Sequence, residues 1–580
     1  MTSSERRSPG VPVEETTHLP HRFHQDRACC FSLYSMAILA SLIPSAALLR
    51  AQDVSGIAFS QSALTTSAYD FIEVIAEVKS PVGQNPFTDT SFTGDFEPTG
   101  SPEKVFVMGF CDSADGRLYR IRFMPSKPGA YTFHVSLKAG SATKDESGNF
   151  TATDEHRKGP IRVDPAYPWS FIWEGTGEHY FFNGTTAYWL LGWRDEQPIQ
   201  YSIDRLAALK INRMRVTLAG RTSTFYGEPV MNGERWSMLI DPWPARDVHD
   251  FYHPGFDYAR FNVSYWQKFD RMLRYAREKN VIISIVLGMN DEHDHPAASS
   301  DDERRYIRYA VARLGSFSNI TWDLGDDLDG FRDDAWSHET GSLIEELDPY
   351  HHLATSHPVK TIHQDRSSSW FGFTSYQDWS RNQHALMLES REIQKKAGRT
   401  IPQTNEEYGY EDHYPEWAAA GSDSADVLRR TAWDIYMAGG YQTAGESARR
   451  GTNIWPDTGG GWMNGRGDDT ETMFLGYGHI VDFFTRFEWW KTSPHDELVN
   501  NGNYCLADPG NLYAIYLPHG GELKIQLAPG KYRGEWFNAN SGQRIELTED
   551  IDGAPWTSPG PPEASGWPGV QDWALLLQRK

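Results

Sequence analysis

Two pairs of adjacent carboxylates stand out by position. Asp326 and Asp327 follow the run Asn319-Ile-Thr-Trp-Asp-Leu-Gly, and Glu406 and Glu407 follow Ile401-Pro-Gln-Thr-Asn. Each run is strand-like, and each pair falls at its carboxyl end. Two carboxylates converging from different strands suit hydrolysis of a glycosidic bond. One, protonated, releases the leaving alcohol while the other attacks or activates water. Crowding acids together also raises one pKa, which supplies the acid near neutral pH. The competing account is a set of solvated loop acids, the usual fate of an Asp or Glu in a chain holding 78 of them.

Other polar and aromatic residues fall near the same expected strand ends. Asn405 precedes Glu407 by two residues, on the same face of an ideal strand, and is expected to hydrogen-bond a sugar. His357 ends Leu353-Ala-Thr-Ser-His, where it holds a substrate hydroxyl or caps the strand. Trp370, Tyr376 and Gln377 flank the next strand, and Glu446 follows Thr443-Ala-Gly. Glu446 binds a sugar hydroxyl, orients Glu407, or pairs with Arg449 or Arg450. Trp455 and Trp462 bracket a Gly-rich stretch that reads as a flexible lid with an aromatic platform for a sugar ring. His293-Asp-His295 invites a zinc reading, yet no third ligand has motif-like spacing, so neither metal nor cofactor is expected.

These residues need a scaffold that gathers strand ends at one face. From about residue 166 to 496, apolar strand-like runs alternate with helix-length segments, giving about eight β/α units. That is the rhythm of a (β/α)₈ TIM barrel, whose reacting groups sit where strands end. Among the expected strands are Trp189-Leu-Leu-Gly, Arg213-Met-Arg-Val-Thr-Leu and Val281-Ile-Ile-Ser-Ile-Val-Leu. A doubly wound sheet is disfavoured because no Gly-rich phosphate loop follows the first strand. Residues 52–165 and 497–580 carry short alternating strands between turns, the pattern of two β-sandwiches flanking the barrel. Within the second, the Pro/Gly-rich Gly553–Gly569 reads as a loop. The 580 residues thus divide into three domains.

Charge narrows the partners. With 55 Lys+Arg against 78 Asp+Glu the net charge is −23, which disfavours nucleic acid and anionic membranes. Cys29–Leu49 is apolar between Arg27 and Arg50, but serines and a proline interrupt it. It reads as a signal peptide over residues 1–51, implying export to the periplasm or outside a bacterial cell rather than membrane insertion. Beyond it only Cys111 and Cys505 remain, too few for a disulfide framework. Oligomeric state is not specified.

Several segments also resemble one family in order along the chain. Phe181-Phe-Asn-Gly-Thr-Thr-Ala-Tyr-Trp-Leu-Leu resembles the first-strand signature of the apiosidase-like glycoside hydrolases. Phe256-Asp-Tyr-Ala-Arg-Phe-Asn-Val-Ser-Tyr-Trp is similar to their third-helix entry. Trp322-Asp-Leu-Gly-Asp-Asp is similar to their Trp-x-x-Gly-Gly-Asp segment, with Asp327 in the place of the general acid and Asp326 replacing the second Gly. Pro402-Gln-Thr-Asn-Glu-Glu-Tyr-Gly-Tyr-Glu resembles the segment in which Glu407 takes the place of the nucleophile. The first sandwich is similar to a domain of unknown function that often precedes such barrels. The second, through Asn503-Tyr-Cys-Leu-Ala-Asp-Pro-Gly, resembles a module named for collagen binding. The resemblance implies a retaining glycosidase acting on a plant or algal polysaccharide or oligosaccharide. Two rivals stay open: a metal-dependent barrel hydrolase using His293, His295 and Asp327, and a non-catalytic carbohydrate-binding or matrix protein.

Overall fold

The computed structural model describes residues 56–81, 83–221, 231–289, 295–359, 367–411, 424–446, 461–466, 473–558, 560–562 and 571–580. The leader (residues 1–51), His293, Arg449, Arg450 and Trp455 lie outside the described residues.

Eight parallel strands form the central sheet. They are β1 (Gly184–Thr186), β2 (Arg213–Thr217), β3 (Ile282–Val286), β4 (Ile320–Asp323), β5 (Ala354–Thr355), β6 (Thr374–Gln377), β7 (Gln403–Glu407) and β8 (Tyr441–Ala444). Their order is β5-β4-β3-β2-β1-β8-β7-β6, and bridges Ala354–Phe371 and Val359–Gln377 join the two ends into a barrel. Every residue of β2 and β3 is buried, as parallel strands covered on both faces require. Helices α1 (Gln197–Ala208), α2 (Val263–Glu278), α3 (Asp301–Leu314), α4 (Asp334–Leu347), α5 (Gln383–Ala397), α6 (Ala425–Met437) and α7 (Met473–Phe484) run between or after the strands. Ser300, Asp333 and Ser424 start α3, α4 and α6 by accepting a backbone N–H in the first turn. Between β5 and β6 the described residues hold no helix.

Trp189-Leu-Leu-Gly, expected as a strand, is a 3₁₀ turn at Leu190–Gly192 just past β1. Its indoles explain why: Trp189 Nε1 donates to the Gly220 carbonyl at 2.8 Å and Trp193 Nε1 to that of Asn464 at 2.7 Å. Those partners lie on neighbouring loops, so this apolar run packs beneath the loops instead of joining the sheet.

The first sandwich packs a four-stranded sheet (Ile57–Gln61, Ile72–Val78, Leu118–Phe123, Phe110–Cys111) on a five-stranded one (Thr65–Ser67, Ala142–Thr153, Gly129–Ala139, Thr90–Pro98, Val105–Met108). Ile121, Val135, Leu137 and Phe96 are among the residues of its core. A buried ion cluster ties it to the barrel. Arg122 donates to both Asp270 oxygens of α2 at 2.9 and 2.7 Å, and Arg313 of α3 reaches the same carboxylate at 2.7 Å.

The second sandwich is bound differently. In Leu512–Leu517 and Trp573–Arg579, alternate residues belong to different cores. Tyr513, Ile515, Leu575 and Leu577 line the sandwich interior, while Ala514, Tyr516, Ala574 and Leu576 join the barrel core. Trp433 of α6 stacks on Tyr516 with centroids 4.8 Å apart. Gly553–Gly569 is not all loop. Pro555–Ser558 pairs antiparallel with Leu523–Gln526, where Ile525 and Leu523 supply apolar side chains for a second small sheet. Cys111 and Cys505 are buried and unbonded.

Candidate active site

The site is assembled where β1, β2, β4, β5 and β7 end. On β7 a bulge decides which carboxylates face inward. Tyr376 pairs with Asn405, but Gln377 pairs with Glu407, leaving Glu406 as an extra residue. Without it, alternation would send Glu407 outward along with Asn405. With it, both glutamates turn in. Glu406 Oε2 accepts from Arg213 Nη1 at 2.6 Å inside the barrel, and Glu407 Oε2 lies 3.2 Å from the Tyr188 hydroxyl above it. Asn405 faces the outer layer, donating to Gln383 Oε1 of α5 at 2.8 Å and to the Asp378 carbonyl at 3.0 Å. Its Oδ1 accepts the Glu407 backbone N–H at 3.0 Å. Asn405 therefore fixes Glu407 from behind; its expected place beside a sugar is corrected by the bulge.

Arg215, fully buried on β2, is the hub. Its Nη2 donates to Asp326 Oδ1 at 2.7 Å and to Asp323 Oδ2 at 3.0 Å, and its Nη1 to the Tyr188 oxygen at 2.9 Å. Tyr188, two residues past β1, also lies 3.0 Å from Asp326 Oδ1. His357 sits opposite, its Nδ1 3.2 Å from the Ser375 hydroxyl. Its Nε2 is 3.6 Å from Asp326 and 3.8 Å from Glu407, beyond hydrogen-bond length. Asp327 is half-buried and directly precedes the 3₁₀ turn Leu328–Gly330 with φ of +49°, a left-handed conformation that Asp tolerates better than most residues. Gly325 allows the tight turn, since a Cβ there would meet Leu328 Cδ1 at 2.7 Å.

Charge is unbalanced here. Two guanidiniums, Arg213 and Arg215, face Asp323, Asp326, Glu406 and Glu407, all buried. Burial, then Asp326 and Asp327, push the Glu407 carboxyl well above the usual range, while Arg215 and a hydrogen bond from Tyr410 oppose this. Burial also raises Asp323 to about 7, against the pull of Arg215. His357 is held neutral by burial and by Arg215 and Arg213. The cluster thus keeps protons at neutral pH. Asp326, His357 and Glu407 bring ligand atoms within 4.8 Å of one another, a spacing a cation could use. Arg215 already sets a positive charge against Asp326, so a further cation would meet repulsion.

The structure gathers Glu407 and His357, with Asp327 following Asp326 at the rim. Gln377 stands beside Glu407 across the ladder. Trp462, on a four-residue helical turn, packs edge-on against Tyr188 and near Tyr410 (centroids 6.2 and 5.2 Å), buried rather than offered as a platform. Glu446 is held by both terminal nitrogens of Arg205 at 2.9 and 2.8 Å. Tyr376 is wholly buried, opposite Asn405. Trp370 precedes β6 and packs on Gly341 of α4, away from the carboxylates, because the chain enters β6 at the opposite end of the barrel. His295 lies near the Met289 carbonyl and stacks on Phe331. Sequence reasoning passed over Tyr188, Arg215 and Asp323. The signal was present in Arg213-Met-Arg215: arginines at alternate positions of a buried strand demand buried acids.

Comparison with known proteins agrees with this fold. Residues 171–445 match the family model described as "Apiosidase-like, catalytic domain", and residues 65–138 match a domain of unknown function, DUF5060. No curated protein matches the sequence. Among solved structures, a protein from Bacteroides vulgatus ATCC 8482 assigned to the glycoside hydrolases superposes with a TM-score of 0.69 at 18% identity, covering 89% of this chain and 100% of its own. A glycoside hydrolase family 5 protein from the same organism gives 0.58 at 17% identity, covering 73% and 93%. A further glycoside hydrolase gives 0.56 at 16% identity over 73% and 97%. Identities this low speak for the shared fold, and the family match speaks for the chemistry. The barrel is similar to the apiosidase-like catalytic domain and follows a region similar to DUF5060, and the chain is a glycoside hydrolase.

Proposed function

We propose that this glycosidase is exported and cleaves a plant or algal polysaccharide or oligosaccharide with retention of anomeric configuration. Asp327 is the general acid/base and Glu407 the nucleophile. The observation that carries the reading is the meeting of the β4 and β7 ends across one tyrosine hydroxyl, Tyr188, with Asp327 next in the chain. Asp326 is engaged by Arg215 at 2.7 Å, which leaves the acid's role to its neighbour. Asp327 protonates the glycosidic oxygen as Glu407 attacks the anomeric carbon, giving a glycosyl ester. Asp327 then takes a proton from water, whose oxygen displaces Glu407. His357 Nε2, facing the carboxylates beyond bonding distance, and Gln377 are placed to hold sugar hydroxyls.

The test is a screen of plant and algal oligosaccharides, wild type against Glu407→Gln and Asp327→Asn, with the product anomer followed by NMR. Retained configuration is expected in the first-formed product, with activity of either variant down by ~10³-fold or more. An inverted product, or near-normal turnover by Glu407→Gln, overturns the reading.

A further inference from the structure

Tyr188 holds contacts that its one proton cannot serve if both neighbouring carboxylates are charged. Its oxygen lies 3.0 Å from Asp326 Oδ1 and 3.2 Å from Glu407 Oε2, and Arg215 Nη1 donates into it at 2.9 Å. A phenol has one hydrogen to give and two lone pairs to receive with. With both acids ionised, one close O···O contact would set lone pair against lone pair in a dry interior, an arrangement that costs free energy. All three contacts become hydrogen bonds if one carboxyl is protonated. That carboxyl donates to the tyrosine oxygen, and the tyrosine donates to the other.

The surroundings say where the proton rests. Asp326 Oδ1 already accepts a hydrogen bond from Arg215 Nη2 of β2 at 2.7 Å. Burial together with Asp326 and Asp327 at the end of β4 disfavours charge on Glu407, against Arg215 and the Tyr410 hydroxyl beyond β7. His357 of β5 is neutral and changes this little. At rest the proton belongs to Glu407, which cannot attack while holding it.

We infer that Tyr188 is the relay through which Glu407 loses this proton before it attacks. The inference rests on the reading of Glu407 as nucleophile. Glu407 passes its proton to the Tyr188 oxygen while the Tyr188 hydroxyl passes its own to Asp326 Oδ1. Two O–H bonds break and two form, the phenol stays neutral throughout, and no proton leaves the site. Positive charge growing at the anomeric carbon stabilises the Glu407 anion and drives the shift. Tyr188 acts through Glu407 and Asp326 and is a positioning residue.

The experiment uses the full chain and Tyr188→Phe, Asp326→Asn and Glu407→Gln. The first readout needs no substrate: the C=O stretch of a protonated carboxyl, titrated by infrared difference between each protein and Glu407→Gln. A band is expected in the wild type at neutral pH. Its midpoint should rise in Tyr188→Phe, which cannot donate to the Glu407 anion, and fall in Asp326→Asn, which lacks the neighbouring charge. The second readout is the pH profile of kcat/KM on whichever 4-nitrophenyl glycoside, from pentosides, hexosides and uronides, the wild type cleaves fastest. In Tyr188→Phe the acid limb should move up by about one pH unit, so activity there falls ~10-fold further than on the plateau. If Tyr188→Phe does not fold, the Asp326→Asn midpoint decides. No band in the wild type, or midpoints and limb unmoved, overturns the relay. Glu407→Gln that still turns over overturns the nucleophile reading instead. An inactive Glu407→Gln beside an unmoved Tyr188→Phe limb removes the relay alone.

Discussion

Arg215 Nη2 and Asp326 Oδ1 lie 2.7 Å apart at the floor of the site, and the same nitrogen reaches Asp323 at 3.0 Å. One cation thus serves two buried acids from the same strand end. Arg215→Met should leave both without their cation and lower unfolding stability by about 3–5 kcal/mol. Chemical denaturation checks this. Adding Asp323→Asn to Arg215→Met should recover part of the loss, because one of the two stranded acids is then gone.

Asp323 also makes stability depend on pH in a stated direction. Burial raises its carboxyl to about 7, against an ordinary 3.8. The folded chain therefore binds this proton more tightly than the unfolded chain, and the contribution from Asp323 is present below about pH 4. It is lost as pH rises towards about 7. Asp323→Asn should flatten the curve over that window and exceed the wild type in stability at pH 8. Thermal midpoints measured from pH 4 to 8 follow it, and an equally sloping Asp323→Asn curve would contradict the assignment.

Asn405 offers a cleaner separation of geometry from binding. Its Oδ1 holds the Glu407 backbone N–H at 3.0 Å, and the residue itself is anchored to α5. Asn405→Ala should lower kcat by ~10²-fold through misplacement of Glu407 while leaving KM within a few-fold. Steady-state kinetics on the best aryl glycoside would show it. A change confined to KM would return Asn405 to the sugar.

At the other end of the barrel, Asp270 balances Arg122 and Arg313. Asp270→Ala should cost about 3–5 kcal/mol, since two buried guanidiniums lose their shared acid. The loss should appear as earlier unfolding of the first sandwich, read by hydrogen exchange at Ile121 and Val135.

How far the sequence could lead is visible in these residues. Barrel strands such as β3 were legible because a continuous apolar run has few other uses in a β/α rhythm. The place of Glu407 at a strand end was legible from the turn-bounded run Ile401-Pro-Gln-Thr-Asn before it. Its neighbour Asn405 was misread, because alternation along a strand cannot reveal a bulge that depends on pairing with Gln377. Trp189-Leu-Leu-Gly was misread for a related reason: apolar content fixes burial but not whether the chain is extended or turned. Arg215 and Asp323 join only through the closed barrel, 108 residues apart, so no local pattern names the partner.

The sheet shared by two cores sets a limit on modularity. Leu512–Leu517 and Trp573–Arg579 carry the last domain's own interior on one side and part of the barrel's on the other. A protein cut after the barrel would bare Trp433 and the apolar surface that meets Tyr516, Ala574 and Leu576. The catalytic barrel is therefore not a transferable cassette. Shuffling its terminal domain for another would succeed only with a replacement whose outer sheet face reproduces that apolar row.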